Sequence, residues 1–229
     1  MSGHEGTLAL VGGDEWTDGC DFDGELLERS GADRVLVLPT AAAYEHPERR
    51  VMAAAGWFSR WGGDVEGLMV LGRADAEDHG AADVVRRARF VYLSGGSPLH
   101  LRAVLKGSLV FEALRSAFQD GAVVAGSSAG AMVLTDPMVD PRGGALTVGL
   151  GLVERVAVVP HFGDVAEDVH GEKLHRSVAL APAGVPVVGI PERTVVIRDA
   201  MGWRSAGRGG VAVFVDGSLE PGGLGALSV

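Results

Sequence analysis

Residues 122–134 hold the side chains best suited to chemistry. An apolar run, Ala122–Ala125, leads into Gly126-Ser127-Ser128-Ala129-Gly130, and the small apolar residues Ala131–Leu134 follow. A strand that turns sharply into a helix, with one serine at the apex, has this pattern. Such a nucleophile elbow lifts the central hydroxyl, here Ser128, out of the sheet. It also aims the first N–H groups of the helix at the same point. Small residues suit a tight, strained turn that a substrate must approach closely. Ser127 precedes the apex and reads as a residue that shapes the turn. Gly-x-Ser-x-Gly also occurs in ordinary turns, so its meaning rests on the flanking strand and helix.

A serine hydroxyl is a weak nucleophile until a base takes its proton. Of the seven histidines, His161 is the best placed. It follows the apolar stretch Val156–Val159 and Pro160, at a strand's carboxyl end, which is the kind of position Ser128 also holds. Its bland alternative is a polar loop residue ahead of a helix from Asp164. His4 lies at the terminus, His46, His79 and His100 occupy loops or helix starts, and His170 and His175 fall on a helix. The base in turn needs a carboxylate to fix its tautomer. Glu192, in Gly189-Ile190-Pro191-Glu192-Arg193-Thr194, sits just past an apolar strand on a turn stiffened by Pro191. Read blandly, it is a solvated turn residue paired with Arg193. Asp136 and Asp140, each before a proline, and Glu154 are the rival acids. A tetrahedral intermediate would need donors for its oxyanion. The Ala129 N–H follows from the elbow, and Gly96 in Ser94-Gly95-Gly96-Ser97 is placed to supply another. Such donors matter by about 10²–10³ in rate. That glycine pair also fits a plain strand-to-helix turn. No metal site and no cofactor are expected, because the chain has neither His-Glu-x-x-His nor a cysteine pair. Asp164, Glu167, Asp168 and Glu172 read as an acidic helix start.

The elements that must position these groups alternate. Strands are expected at Thr7–Val11, Arg34–Leu38, Val65–Leu71, Arg89–Leu93 and into the elbow. Helices are expected at Phe22–Arg29, Pro47–Trp61, Ala81–Ala88, Leu99–Leu105 and Leu109–Phe118. This predicts an α/β fold of three layers, with a mostly parallel sheet, helices on both faces and ligands at the strands' carboxyl ends. The second half reads differently. Strands are expected at Leu146–Leu152, Arg155–Val159, Val187–Ile190, Thr194–Arg198 and Gly210–Val215, with a helix over Asp164–Leu180. The closely spaced strands of this C-terminal part are expected to pair antiparallel. Neither a repeat nor a linker interrupts the chain, so residues 1–229 read as a single domain.

Composition narrows the partners. The chain has 229 residues, 47% hydrophobic and 22% charged, with a net charge of −10. That balance disfavours nucleic acid and anionic membranes. No stretch approaches the roughly 20 apolar residues of a membrane span, and residues 1–5 do not read as a secretion signal. Cys20 is the only cysteine. Its acidic neighbours Asp18, Asp21 and Asp23 should raise its pKa rather than activate it. A cytoplasmic location is expected, with a homodimer entertained as the assembly.

Taken together, these residues resemble the serine peptidase family of the alpha-aspartyl dipeptidases (dipeptidase E) and cyanophycinases, whose core is similar to class I glutamine amidotransferases. The resemblance runs through Leu8–Gly13, Val37–Ala41, Val91–Gly96, Gly126–Ala131, Pro160-His161-Phe162 and Gly189–Thr194. It implies a Ser-His-Glu triad of Ser128, His161 and Glu192, oxyanion donors at Gly96 and Ala129, and Asp136 as an alternative acid near a position suspected in the family. The departures concern specificity. Cyanophycinases carry Asp-Gln before the His-Phe and spaced arginines after it. Here Val159-Pro160 precedes, and Val165, Glu167 and His170 take the arginine places. The arginine with which aspartyl dipeptidases hold the substrate carboxylate corresponds to Leu174. The glycine turn continues with Ser97-Pro98 instead of Asn or Asp. The expectation is a serine hydrolase that cleaves small peptide or isopeptide amide bonds through an acyl-enzyme. Two alternatives stand beside it. One is a non-catalytic or regulatory binding module on the same scaffold. The other is an α/β-hydrolase esterase, although those enzymes place the acid before a late histidine.

Overall fold

The computed structural model describes residues 5–163 and 167–227. Five strands run parallel: β1 (Thr7–Val11), β2 (Arg34–Leu38), β3 (Asp64–Gly67), β4 (Phe90–Leu93) and β5 (Val123–Ser127). They lie in the order β1-β5-β4-β2-β3. Beyond β1 the sheet continues into an antiparallel hairpin, Thr194–Asp199 with Gly202–Gly207. Eight α-helices are described: α1 (Phe22–Ser30), α2 (Pro47–Phe58), α3 (Arg73–Ala76), α4 (His79–Arg87), α5 (Pro98–Leu105), α6 (Leu109–Gln119), α7 (Ala129–Leu134) and α8 (Glu167–Leu180).

Local signals start and stop these elements. Asp78, Ser97 and Ser108 each accept an N–H from the first turn of α4, α5 and α6, at 2.7, 3.3 and 3.1 Å. Pro47 and Pro98 occupy first-turn positions where a missing N–H costs nothing. Gly31 ends α1 in the left-handed conformation, φ 64°.

Successive side chains of each parallel strand face opposite layers. Leu8, Leu10, Leu36, Leu38, Val91, Leu93 and Val124 enter one core with α4 to α7. Ala9, Val11, Val35, Val37, Phe90, Tyr92, Val123 and Ala125 enter the other, against α1 and α2. This two-sided burial explains why the strands read as unbroken apolar runs. The first core also receives a second sheet, in the order Ala157–Pro160, Val187–Ile190, Ala212–Val215, Ser218–Leu219.

Several expectations are corrected. The third strand ends at Gly67, not Leu71, because its last registered partner is Val37 and β2 then runs out at Pro39. Of Leu146–Leu152, only Leu146–Thr147 is strand. Further on, the N–H groups of Leu150 and Leu152 bond the Val133 and Leu134 carbonyls at the end of α7, at 2.7 and 2.9 Å. Those carbonyls lack intrahelical partners and would otherwise be unsatisfied. Val187–Ile190 pairs antiparallel with Ala212–Val215, as expected, and on its other edge pairs parallel with Ala157–Pro160. The intervening α8 provides the crossover that a parallel pair requires. Elements without a counterpart in the sequence reading include α3, the strand Gly202–Gly207 and the two-residue strands Thr135–Asp136, Met138–Val139, Val153–Glu154 and Ser218–Leu219. The expected helix start at residues 164–166 lies outside the described residues.

Asp23 is fully buried on the α1–α2 side, and burial raises its carboxyl pKa well above the usual range. Trp57 Nε1, donating to Oδ2 at 2.9 Å, opposes the shift, and Glu15 and Asp21 add to it. The folded chain therefore keeps a proton that the unfolded chain releases. Stability should fall as pH rises from the ordinary carboxylate value of 3.8 towards the folded-state value. Guanidinium midpoints across about pH 4–8 should show this slope in the wild type and its flattening in Asp23→Asn.

Candidate active site

Ser128 stands between β5 and α7 with φ 49° and ψ −105°, a conformation that L-residues adopt only under tertiary constraint. Both flanking glycines are required by close approach. A Cβ on Gly126 would lie 2.5 Å from the Gly130 carbonyl carbon, and one on Gly130 would lie 2.4 Å from Leu93 O. The helix thus packs directly on the sheet backbone. Ala129, as the first helical residue, has an N–H with no carbonyl one turn earlier to receive it.

The structure brings Ser128, His161 and Glu192 together. Ser128 Oγ lies 2.8 Å from His161 Nε2, and His161 Nδ1 lies 2.8 Å from Glu192 Oε1. The His161 and Glu192 side chains are about two-thirds buried, with relative exposures of 29% and 32%. The three residues follow the carboxyl ends of β5, of Ala157–Pro160 and of Val187–Ile190. The backbone at the end of β1 joins these ends. Val11 O accepts the Ser128 N–H, Gly12 O the His161 N–H and Gly13 O the Arg193 N–H, each at 2.9 Å. Gly12 and Gly13 leave room for what crosses them. A Cβ on Gly13 (φ 136°) would lie 2.3 Å from His161 Cε1, and one on Gly12 would lie 2.0 Å from Pro191 O.

The turn after β4 lies beside the serine. A Cβ on Gly95 would be 3.5 Å from Ser128 Cβ. Gly96 has φ 142°, and a Cβ there would strike Ala41 O at 2.4 Å. Glu15 was not anticipated. Its side chain is only 6% exposed, and it accepts the Gly95 N–H at Oε1 (3.0 Å) and the Ser127 hydroxyl at Oε2 (2.8 Å). In the sequence it is one acid in an acidic stretch, with nothing to single it out.

The remaining candidates are placed elsewhere. Asp136 meets the Gly149 N–H at 3.0 Å, and the carboxylate at His161 Nδ1 is that of Glu192. Asp140 pairs with Arg142, which lowers its pKa to about 2. Arg193 does not pair with Glu192 by hydrogen bond: its Nε donates to Asp14 Oδ2 at 2.5 Å. The side chains of Glu167, Asp168, His170 and Glu172 lie outside the description, as do residues 164–166. Leu174 packs against the apolar core. Cys20 is buried, with its pKa raised to about 11. Burial dominates that shift and Asp23 adds less, so the acidic neighbours are a secondary cause. Among the described residues no cluster of His, Cys, Asp and Glu could hold a metal ion, and no helix is long and apolar enough to cross a membrane.

Comparison with known proteins agrees with this architecture. The chain is 30% identical over 223 residues to a cyanophycinase of Synechococcus elongatus, covering 93% of this chain and 69% of the relative. It is 27% identical over 218 residues to a cyanophycinase of Trichormus variabilis, covering 90% and 72%. A peptidase from an acI-B1 actinobacterium superposes with a TM-score of 0.85 at 27% identity, covering 96% of this chain and 95% of that one. The fold is shared with a putative peptidase E protein of Listeria monocytogenes, TM-score 0.68 at 17% identity, covering 90% and 100%. A family model described as "Peptidase family S51" matches residues 9–203, a span that contains four of the five parallel strands entire, most of β1 and all three converging side chains, and the chain therefore belongs to this family of peptidases.

Proposed function

We propose that the chain is a serine peptidase whose nucleophile is Ser128, with His161 as its base and Glu192 as the group that orients the base. The observation that carries this reading is the continuous contact Ser128 Oγ–His161 Nε2 and His161 Nδ1–Glu192 Oε1, each 2.8 Å. With Glu192 accepting from Nδ1–H, the Nε2 lone pair faces the hydroxyl, which is the tautomer a base requires. Ser128 Oγ gives its proton to Nε2 and attacks the substrate carbonyl. The N–H groups of Gly96 and Ala129 receive the oxyanion. His161 then protonates the leaving amine, and water, activated by the same imidazole, releases the acyl group.

The substrate is proposed to be a small peptide or isopeptide. Support comes from the relatives named cyanophycinase. The place that corresponds to the carboxylate-binding arginine of aspartyl dipeptidases holds Leu174, an apolar side chain packed against the core. This favours a substrate whose recognition does not depend on a cation at that place. A cytoplasmic location belongs to the same reading and is supported by the single, buried thiol.

Three outcomes check the proposal. A fluorophosphonate should label the wild type on Ser128 and leave Ser128→Ala unmodified; labelling that persists in that variant would falsify the nucleophile. Glu192→Gln should fold normally yet lose about 10²–10⁴ in kcat on whichever dipeptide is turned over, because the imidazole loses its tautomer control and its counter-charge. Gly13→Ala drives a methyl group into the imidazole, and its labelling rate should drop about 10²-fold while circular dichroism stays native.

A further inference from the structure

We propose that Glu15 is a positioning residue, a carboxylate clamp that fixes the oxyanion turn against the serine turn. This rests on the serine-peptidase reading above. The two partners of Glu15 occupy informative places. The Gly95 N–H belongs to the peptide immediately before Gly96, and the Ser127 hydroxyl belongs to the residue immediately before Ser128. Each is therefore one residue from a group assigned to the chemistry, and one side chain holds both.

The choice of residue follows from the partners. Both are donors, and an ionised carboxylate is an acceptor at both oxygens. The clamp is nearly buried, so water competes weakly for either bond. Its location also excludes a simple electrostatic role. Gly95 lies beside Ser128, so a negative charge here would oppose an oxyanion forming at the serine. Arg50 Nη1, 4.0 Å from Glu15 Oε1, offsets part of that charge. The benefit of Glu15 must therefore be geometric. Without the clamp, the turn keeps the Ser97 N–H bond to Ala41 O on its far side but loses its hold on the near side, and the Gly96 donor no longer points where the oxyanion develops.

A geometric clamp and a charge effect predict different variants. Glutamine keeps the length and can still bridge, with its carbonyl accepting from Gly95 N–H and its amide donating to a rotated Ser127 hydroxyl. Alanine removes the bridge. The experiment uses the full chain as wild type, Glu15→Ala, Glu15→Gln, Ser127→Ala and the double variant Glu15→Ala/Ser127→Ala. The readouts are the second-order rate of fluorophosphonate labelling, kcat and KM on a turned-over dipeptide, and the thermal midpoint. Glu15→Ala should slow labelling and kcat about 10- to 100-fold with KM nearly unchanged, and Glu15→Gln should stay within about threefold of wild type. Ser127→Ala should fall between them, and the double variant should be no slower than Glu15→Ala, because both changes break one clamp.

Wild-type labelling rates in Glu15→Ala overturn the proposal, and so does a Glu15→Gln as slow as Glu15→Ala. If Glu15→Ala fails to fold, Ser127→Ala carries the test, and an unchanged rate in that folded variant also overturns it. A wild type that is not labelled on Ser128 at all brings down the serine-peptidase reading itself, an outcome distinct from unequal rates among labelled variants.

Discussion

The backbone of Val11, Gly12 and Gly13 is the constraint on which the site depends. Three carbonyls in a row receive the N–H groups of Ser128, His161 and Arg193, and the Gly12 N–H donates to Thr194 O at 2.9 Å. The segments that meet here are far apart in sequence. They share a rail of peptide groups. Such a rail works only if nothing projects from it. That is why the two residues after β1 lack a Cβ, and why a methyl at either would collide with the imidazole or with the Pro191 carbonyl.

Backbone strain gathers around the same rail. Asp14, Trp16, Ser128, His161 and Arg193 all have positive φ, five of the eight non-glycine residues that do so among those described. Each such position costs about 1–3 kcal/mol and persists only where surrounding contacts over-determine it. Those contacts are visible: the rail itself, the Arg193–Asp14 ion pair and the Glu15 bridge. Two well-packed cores beneath the strand ends give this strained rim a rigid support.

Much of this was legible in the residues, for physical reasons. The parallel strands β1, β2, β4 and β5 are buried on both faces, so they appear as short apolar runs that stand out from the amphipathic helices between them. The serine turn announces itself because Gly126 and Gly130 are needed where helix and sheet backbones touch. His161 and Glu192 were reachable by asking which polar residues end apolar strands. What stayed hidden depends on contacts between distant segments. Glu15 acquires meaning only when Gly95 and Ser127, 80 and 112 residues later, close around it. Leu150 and Leu152 look like strand because they are apolar, yet their N–H groups serve the end of a helix.

The lone cysteine gives this arrangement a built-in reporter. Cys20 sits with its thiol buried and its proton tightly held, at the far end of the loop that carries Asp14 and Glu15. Its Sγ donates to the Asp14 carbonyl at 3.5 Å. Disulfide-exchange reagents need a thiolate within reach, so their rate of capture measures how often this loop peels away from the sheet. The protein thus carries, without any engineered probe, a chemical clock for the opening of the segment that holds the turn at Ser127 and Ser128.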